Sequence, residues 1–263
     1  MLYIIMSVCL ALAGGLLFCG LYFPFWKHKT PLLPVLCFGK VGQAPKGSAL
    51  YKEWISPQKL AKKLDWVLKL GFTPVTPEDL LAFKEGVSLP PKPVLLVFKY
   101  GLESFYKEVF PLLQEREIKA CVCLCAEHIG QYNAWQDPRQ EAWQNTLNES
   151  ELAELKKSKW VSFASHGLSY TKLSELDTQQ AAWQAGESKA RLEKLHKLSI
   201  NAFFYPWGVP SKELEEALRP VYGVTFSSQK GVNKLSSPLS TPLNILPAWR
   251  MGLWRLRAKI TRG

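Results

Sequence analysis

The chain has 263 residues, of which 47% are hydrophobic, enough for one full-sized core. Its formal net charge of +11 at pH 7 favours anionic partners such as lipid headgroups, acidic glycans or nucleic acid. Nucleic acid is the weakest of these, because the sequence contains no zinc-finger, helix-turn-helix or RNP pattern.

The amino-terminal segment predicts a membrane anchor. No charged residue occurs from Leu2 to Trp26, and about 20 apolar residues at ~1.5 Å each cross a hydrocarbon layer of ~30 Å. A cleaved signal peptide is the alternative, although no Lys or Arg precedes the apolar run. Residues 1–28 are therefore interpreted as a transmembrane anchor with a basic flank. Lys27 and Lys29, taken by the positive-inside rule, would leave the following domain in the cytoplasm.

The six cysteines do not predict a disulfide framework. Cys9 and Cys19 lie in the predicted span, while Cys121, Cys123 and Cys125 alternate along one apolar run. Side chains two residues apart on one face of a strand are too distant to bridge readily. We therefore expect buried free thiols.

Strands and helices alternate along the rest of the chain. Continuous apolar runs predict strands at 35–38, 94–98, 120–125, 161–164 and 202–205. Helical spacing and capping signals predict helices at 57–70, 77–86, 104–116, 148–157 and 178–197. This alternation indicates a parallel sheet of βα units, in which ligands meet the loops after the carboxyl ends of the strands.

Three of those loops carry recognisable motifs. The segments are Val-Phe-Lys-Tyr-Gly at 97–101, Ser-His-Gly-Leu-Ser-Tyr at 165–170 with Leu173 following, and Phe-Tyr-Pro-Trp-Gly at 204–208. Leu-Pro-Ala follows at 246–248, with Arg250 two positions later. In order and spacing, the ranges 34–41, 54–81, 93–130, 147–173 and 188–231 resemble the NodB-homology polysaccharide deacetylases.

The resemblance implies an α/β fold, a distorted (β/α) barrel that would occupy residues 31–250. Members of that family remove acetyl groups from N-acetylated sugars with a divalent metal held by one Asp and two His, while a second Asp acts as general base. Here Lys99 occupies the position of the base and Tyr100 that of the metal-binding Asp. His166 matches the first His, and Tyr170 replaces the second.

These replacements predict that the metal cofactor is lost. A catalytic metal of this type takes three protein ligands, and one imidazole remains. An ammonium at Lys99 would also repel a cation. We expect Lys99 and His166 to bind an anionic or polar group of a glycan, Tyr100 and Tyr170 to fill the former metal cavity, and Tyr205 and Trp207 to stack on sugar rings. His166 and Trp207 would equally suit purely structural roles.

The leading interpretation is a single-pass membrane protein that binds or positions cell-envelope glycan without metal-dependent catalysis. The resemblance implies an extracytoplasmic domain, against the flanking charges. One alternative is an active carbohydrate deacetylase or hydrolase in which His166 is the base and Lys99 stabilises the oxyanion. A third is a protein-binding role without glycan contact. The tail at 251–263 contains basic and apolar residues but no acid, so it could lie on an anionic membrane or simply follow a last core strand.

Overall fold

The computed structural model describes residues 32–235 and 241–248. Its helices are α1 (Pro57–Lys69), α2 (Pro77–Lys84), α3 (Phe110–Arg116), α4 (Glu149–Lys157), α5 (Thr178–His196) and α6 (Lys212–Leu218). Its strands are β1 (Leu32–Leu33), β2 (Val35–Phe38), β3 (Lys40–Val41), β4 (Trp54–Ile55), β5 (Thr73–Val75), β6 (Pro93–Phe98), β7 (Ala120–Leu124), β8 (Val161–Ser165), β9 (Ala202–Phe204), β10 (Val224–Lys230), β11 (Asn233–Lys234) and β12 (Leu243–Pro247). Short 3₁₀ turns lie at Tyr51–Glu53, Ala126–His128 and Leu173–Glu175, and a π-helical turn at Phe105–Val109 precedes α3.

Within these residues, a parallel sheet closes into a barrel. Its strands follow one another in the order β2, β12, β10, β9, β8, β7 and β6, and β6 pairs with β2 to complete the ring. The eighth strand of this sheet, β5, pairs in parallel with the first half of β6, and β7 pairs with the second half of β6. The prediction of a distorted (β/α) barrel is therefore confirmed.

The alternation of side chains along the strands divides the core into two layers. Leu36 and Leu96 point outward into a core shared with the helices, whereas Cys37 and Val97 point into the barrel. All four are completely buried. Complete burial of a leucine or valine side chain contributes roughly 1.5–3 kcal/mol, so Leu36, Leu96 and Val97 stabilise the barrel from both layers.

Local signals explain why the helices begin and end where they do. The Ser56 side chain accepts a hydrogen bond from the Lys59 amide at the start of α1, with Pro57 in the first turn. The α1 helix ends before Gly71, whose φ of +76° suits a residue without a side chain. At α4, Asn148 and Glu151 form the predicted capping box, each side chain accepting from the other's amide at 3.0 Å.

Some predictions about the chain ends fall outside the described residues. These are the anchor at 1–28, Arg250 and the tail at 251–263. Among the residues that the structure does describe, no helix is both long and apolar enough to cross a membrane. The predictions on the cysteines are confirmed where they can be compared, since Cys121, Cys123 and Cys125 are buried free thiols.

Candidate functional site

A cavity of about 430 Å³ opens at the carboxyl ends of the barrel strands. Four residues predicted from the motifs line it, namely Lys99, Tyr100, Tyr170 and Trp207. The rest of its wall includes Glu53, Phe204, and Trp135, Gln136 and Glu141 of the loop between β7 and α4. The motif residues therefore meet where ligands bind in folds of this kind.

A hydrogen-bonded cluster of Glu53, Lys99 and Tyr100, here called the Lys99 cluster, forms part of the cavity wall. The Lys99 ammonium donates to the Tyr100 hydroxyl at 2.8 Å, and that hydroxyl donates to Glu53 Oε2 at 2.7 Å. Lys99 Nζ lies 4.0 Å from the same carboxylate oxygen. One phenol thus links a cation to an anion.

The charges of the Lys99 cluster follow from its surroundings. Burial works against the charged amine of Lys99, but electrostatic interactions with the acidic groups around it, Glu53 among them, outweigh burial and raise the Lys99 pKa. Burial and the Glu53 carboxylate raise the pKa of Tyr100 well above its ordinary value. At neutral pH Lys99 is therefore an ammonium and Tyr100 a neutral phenol.

His166 lies behind the cavity wall and is completely buried. Its Nδ1 lies 2.8 Å from the Phe204 carbonyl oxygen, which can only accept, so Nδ1 carries the proton. The Nε2 atom has no hydrogen-bond partner within the described residues. Burial, with a further contribution from Lys99, lowers the pKa of His166 to about 3, so the ring is neutral. The Tyr100 and Tyr170 rings pack on it at centroid distances of 6.0 and 4.7 Å.

Tyr170 is the centre of an aromatic wall. Its ring centroid lies 5.5 Å from that of Tyr100, 5.2 Å from Trp135 and 5.1 Å from Trp207. The Trp207 indole donates to the Tyr170 carbonyl at 2.8 Å, yet 54% of the residue remains exposed. Trp207 therefore presents an oriented aromatic face at the cavity mouth.

Three residues of this wall have left-handed backbone conformations. The φ angles are +78° at Tyr100, +63° at Tyr170 and +62° at Trp207. A residue with a side chain adopts this region at a cost of roughly 1–3 kcal/mol, and such strain concentrates at functional sites. The backbone that presents the three aromatic rings is thus held by the surrounding fold.

The residues at the predicted metal position do not fit a divalent cation. His166 offers one imidazole nitrogen, and Tyr100 and Tyr170 offer neutral phenols whose pKa values are raised by burial. Lys99 adds an ammonium beside them. No three His, Cys, Asp or Glu side chains group to hold a metal ion anywhere in residues 32–235 and 241–248. These side chains therefore do not supply the three ligands that a catalytic divalent metal takes.

The expectation that Tyr205 stacks on a sugar ring is not supported by its position. Tyr205 is 2% exposed and packs edge-on against Phe203 in the core shared with the helices. It does not line the cavity. Successive residues of a strand point to opposite sides, and Phe204 takes the inward position. The Tyr205 hydroxyl has no partner within the described residues.

Sequence reasoning missed a buried network at the edge of the cavity. Lys40 Nζ lies 2.8 Å from Glu141 Oε1 and donates to Gln136 Oε1 at 2.7 Å, with Lys40 fully buried. The Trp54 indole donates to Glu141 Oε1 at 3.0 Å, and Ser48 also donates to this carboxylate. No local sequence pattern predicts this network or the contact of Glu53 with Tyr100, because the hydrogen-bonded residues are 47 to 101 positions apart in the chain.

Comparisons with known proteins agree with this fold. Residues 86–223, just over half of the chain, match the family described as polysaccharide deacetylase. The Bacillus subtilis (strain 168) protein YxkH, which carries the name polysaccharide deacetylase, is 22% identical over 206 residues, covering 78% of this chain and 67% of its own. The Streptococcus pyogenes deacetylase PplD, solved in complex with acetate, has a TM-score of 0.72 at 19% identity and covers 88% of this chain and 99% of its own. IcaB from Ammonifex degensii has a TM-score of 0.71 at 22% identity, and the match covers 88% of this chain and 97% of the IcaB chain.

Proposed function

We propose that this chain, which belongs to the polysaccharide deacetylase family, binds glycan in its cavity without removing acetyl groups. The family membership rests on the matched residues and supports glycan as the class of ligand to be tested. The proposal adds that recognition is retained while metal-dependent chemistry is lost. We further propose that no divalent cofactor takes part.

The Lys99 cluster carries this proposal. Lys99 and Glu53 place a hydrogen-bond donor and an acceptor on the same side of the cavity. Sugar hydroxyl and amide groups need both, and a bond to a charged partner is roughly twice as strong as a neutral one. The exposed ring of Trp207, which packs against Tyr170, offers an apolar face to the C–H face of a pyranose.

The alternative of a rearranged hydrolase is less compatible with this geometry. His166 does not line the cavity, and a pKa of about 3 makes its imidazole a weak base. Lys99 is protonated and hydrogen-bonded to Tyr100. Within the described part of the chain, no contact supports a base positioned to activate water, so we do not propose hydrolysis.

The proposal includes an anchored, extracytoplasmic location. Its support is the uncharged segment from Leu2 to Trp26 and the cell-envelope substrates that the family resemblance implies. The basic tail at 251–263 would add contact with anionic lipid. A reporter fused after Gly263 gives a signal only on one side of the membrane and tests the orientation.

Binding can be tested on the full-length chain with a hexasaccharide of N-acetylglucosamine as the probe. Lys99→Met keeps the length of the side chain and removes its charge, so we expect a loss of affinity on the order of tenfold or more. Lys156→Met is the matched control, because Lys156 is exposed on α4 and does not line the cavity. Equal affinities for wild type and Lys99→Met, measured by isothermal titration calorimetry, would refute the proposal.

A further inference from the structure

Two aromatic side chains stand out on the loop of residues 125–148, here called the β7–α4 loop. Tyr132 is 53% exposed and Trp143 is 45% exposed. Their rings are stacked, with centroids 6.3 Å apart and planes inclined by 26°. Together they form an exposed aromatic pair in contact with solvent, and exposed apolar surface of this kind can mark a binding site.

The orientation of this aromatic pair is fixed by hydrogen bonds. Tyr132 and Asn145 form an antiparallel bridge, and the Asn133 amide donates to the Gln144 carbonyl at 3.1 Å. The Trp143 indole N–H donates to the Gln136 carbonyl at 2.7 Å. Because its one polar atom already has a partner, Trp143 presents its ring rather than its N–H to a ligand.

The same loop also forms part of the cavity. Trp135, Gln136 and Glu141 belong to it and line the cavity. Glu141 and Gln136 are bound by the buried Lys40 ammonium, which ties the loop to β3. The aromatic pair is thus connected to the cavity wall through Gln136, whose backbone holds Trp143 and whose side chain contacts Lys40.

We propose that Tyr132 and Trp143 form a second sugar subsite outside the cavity, and this inference rests on the proposed function. The occupant is a further pyranose ring of the oligosaccharide whose other end enters the cavity. The exposed aromatic rings suit packing against a pyranose ring, and one loop carries both this pair and part of the cavity wall.

The signature of such a subsite is a dependence of affinity on the length of the oligosaccharide. A disaccharide of N-acetylglucosamine is expected to occupy the cavity alone, whereas a hexasaccharide reaches both surfaces. The variants Tyr132→Ala and Trp143→Ala should therefore lower affinity for the hexasaccharide by about fivefold to tenfold, as expected for one lost aromatic contact. Their affinity for the disaccharide should stay at the wild-type value.

Two comparison variants of the full-length chain make the titration decisive. Trp183→Ala removes another exposed tryptophan, on α5 and outside the cavity lining, and should change neither affinity. Lys99→Met should weaken binding of both oligosaccharides. Wild-type affinity of Tyr132→Ala and Trp143→Ala for the hexasaccharide would overturn this inference alone. If the wild-type chain binds neither oligosaccharide, both the inference and the proposed function are wrong.

Discussion

Replacing Lys40 with methionine removes the cation from the buried ion pair that holds the β7–α4 loop. Lys40 and Glu141 have side chains that are 0% and 2% exposed, and their charged atoms lie 2.8 Å apart. Methionine preserves the length and most of the volume of lysine. The change therefore tests the charge, and the Glu141 carboxylate is left in a buried position without its cation.

The magnitude follows from the contacts that remain. An unpaired buried ion costs about 3–5 kcal/mol, and Glu141 keeps donors from Trp54 at 3.0 Å, the Leu50 amide at 3.3 Å and Ser48. We therefore expect a loss of about 3 kcal/mol in the free energy of unfolding, at the lower end of that range. In the double variant Lys40→Met with Glu141→Leu neither charge of this pair is left, so its loss should be smaller than that of the single variant.

Urea-induced unfolding followed by tryptophan fluorescence measures these differences. Lys172→Met is the control, because it breaks an exposed pair with Glu175 and should produce no measurable change. A loss below about 1 kcal/mol for Lys40→Met would refute the reasoning. A double variant no more stable than Lys40→Met would show that the effect comes from packing rather than from charge.

Three further measurements test other parts of the structure. Between its unfolded pKa of 6.5 and its folded pKa of about 3, His166 binds a proton only in the unfolded chain, so stability is complete above pH 6.5 and falls as the pH decreases. Wild type should therefore lose about 2 kcal/mol more of its free energy of unfolding than His166→Gln when the pH is lowered from neutral to about 5, as measured by denaturant titration. Equal losses in the two proteins would contradict the buried neutral imidazole. Tyr205→Phe should leave glycan affinity at the wild-type value and not lower the free energy of unfolding, because the hydroxyl has no partner in the described residues. Burial raises the pKa of the Cys37 thiol to about 12, so peptide mapping should find Cys37 alkylated only after unfolding, and rapid labelling of the native chain would contradict its burial.

Much of the barrel could be predicted because its central strands are continuous apolar runs. Val94–Phe98, for example, lies within β6, whose residues are all buried. Two strands that complete the ring escaped prediction. β10 ends in the exposed residues Ser228, Gln229 and Lys230, and β12 is interrupted by Asn244, so neither gives the uniform apolar signal of a buried parallel strand.

The residues of the candidate site that belong to the motifs could be predicted. The contacts between residues remote in sequence could not. Lys99, Tyr100, His166 and Tyr170 come together as the motif order implies. The roles of Lys99, Tyr100 and Tyr170 in glycan binding stay predictions, whereas His166 is buried behind the cavity wall and does not line the cavity. The position of Tyr205 could have been anticipated, since strand alternation places neighbours on opposite sides. The partnership of Glu53 with Tyr100 could not, because 47 residues separate them and no spacing rule connects such a pair.

The central claim is that the ammonium of Lys99, rather than a divalent ion, supplies the positive charge with which this cavity binds glycan. Its most direct test is calorimetric titration of the full-length chain with the N-acetylglucosamine hexasaccharide, once with EDTA and once with zinc, with acetate measured in the same samples. We expect equal affinities in the two titrations and no release of acetate. Binding that is lost in EDTA, or acetate released only when zinc is present, would contradict the claim.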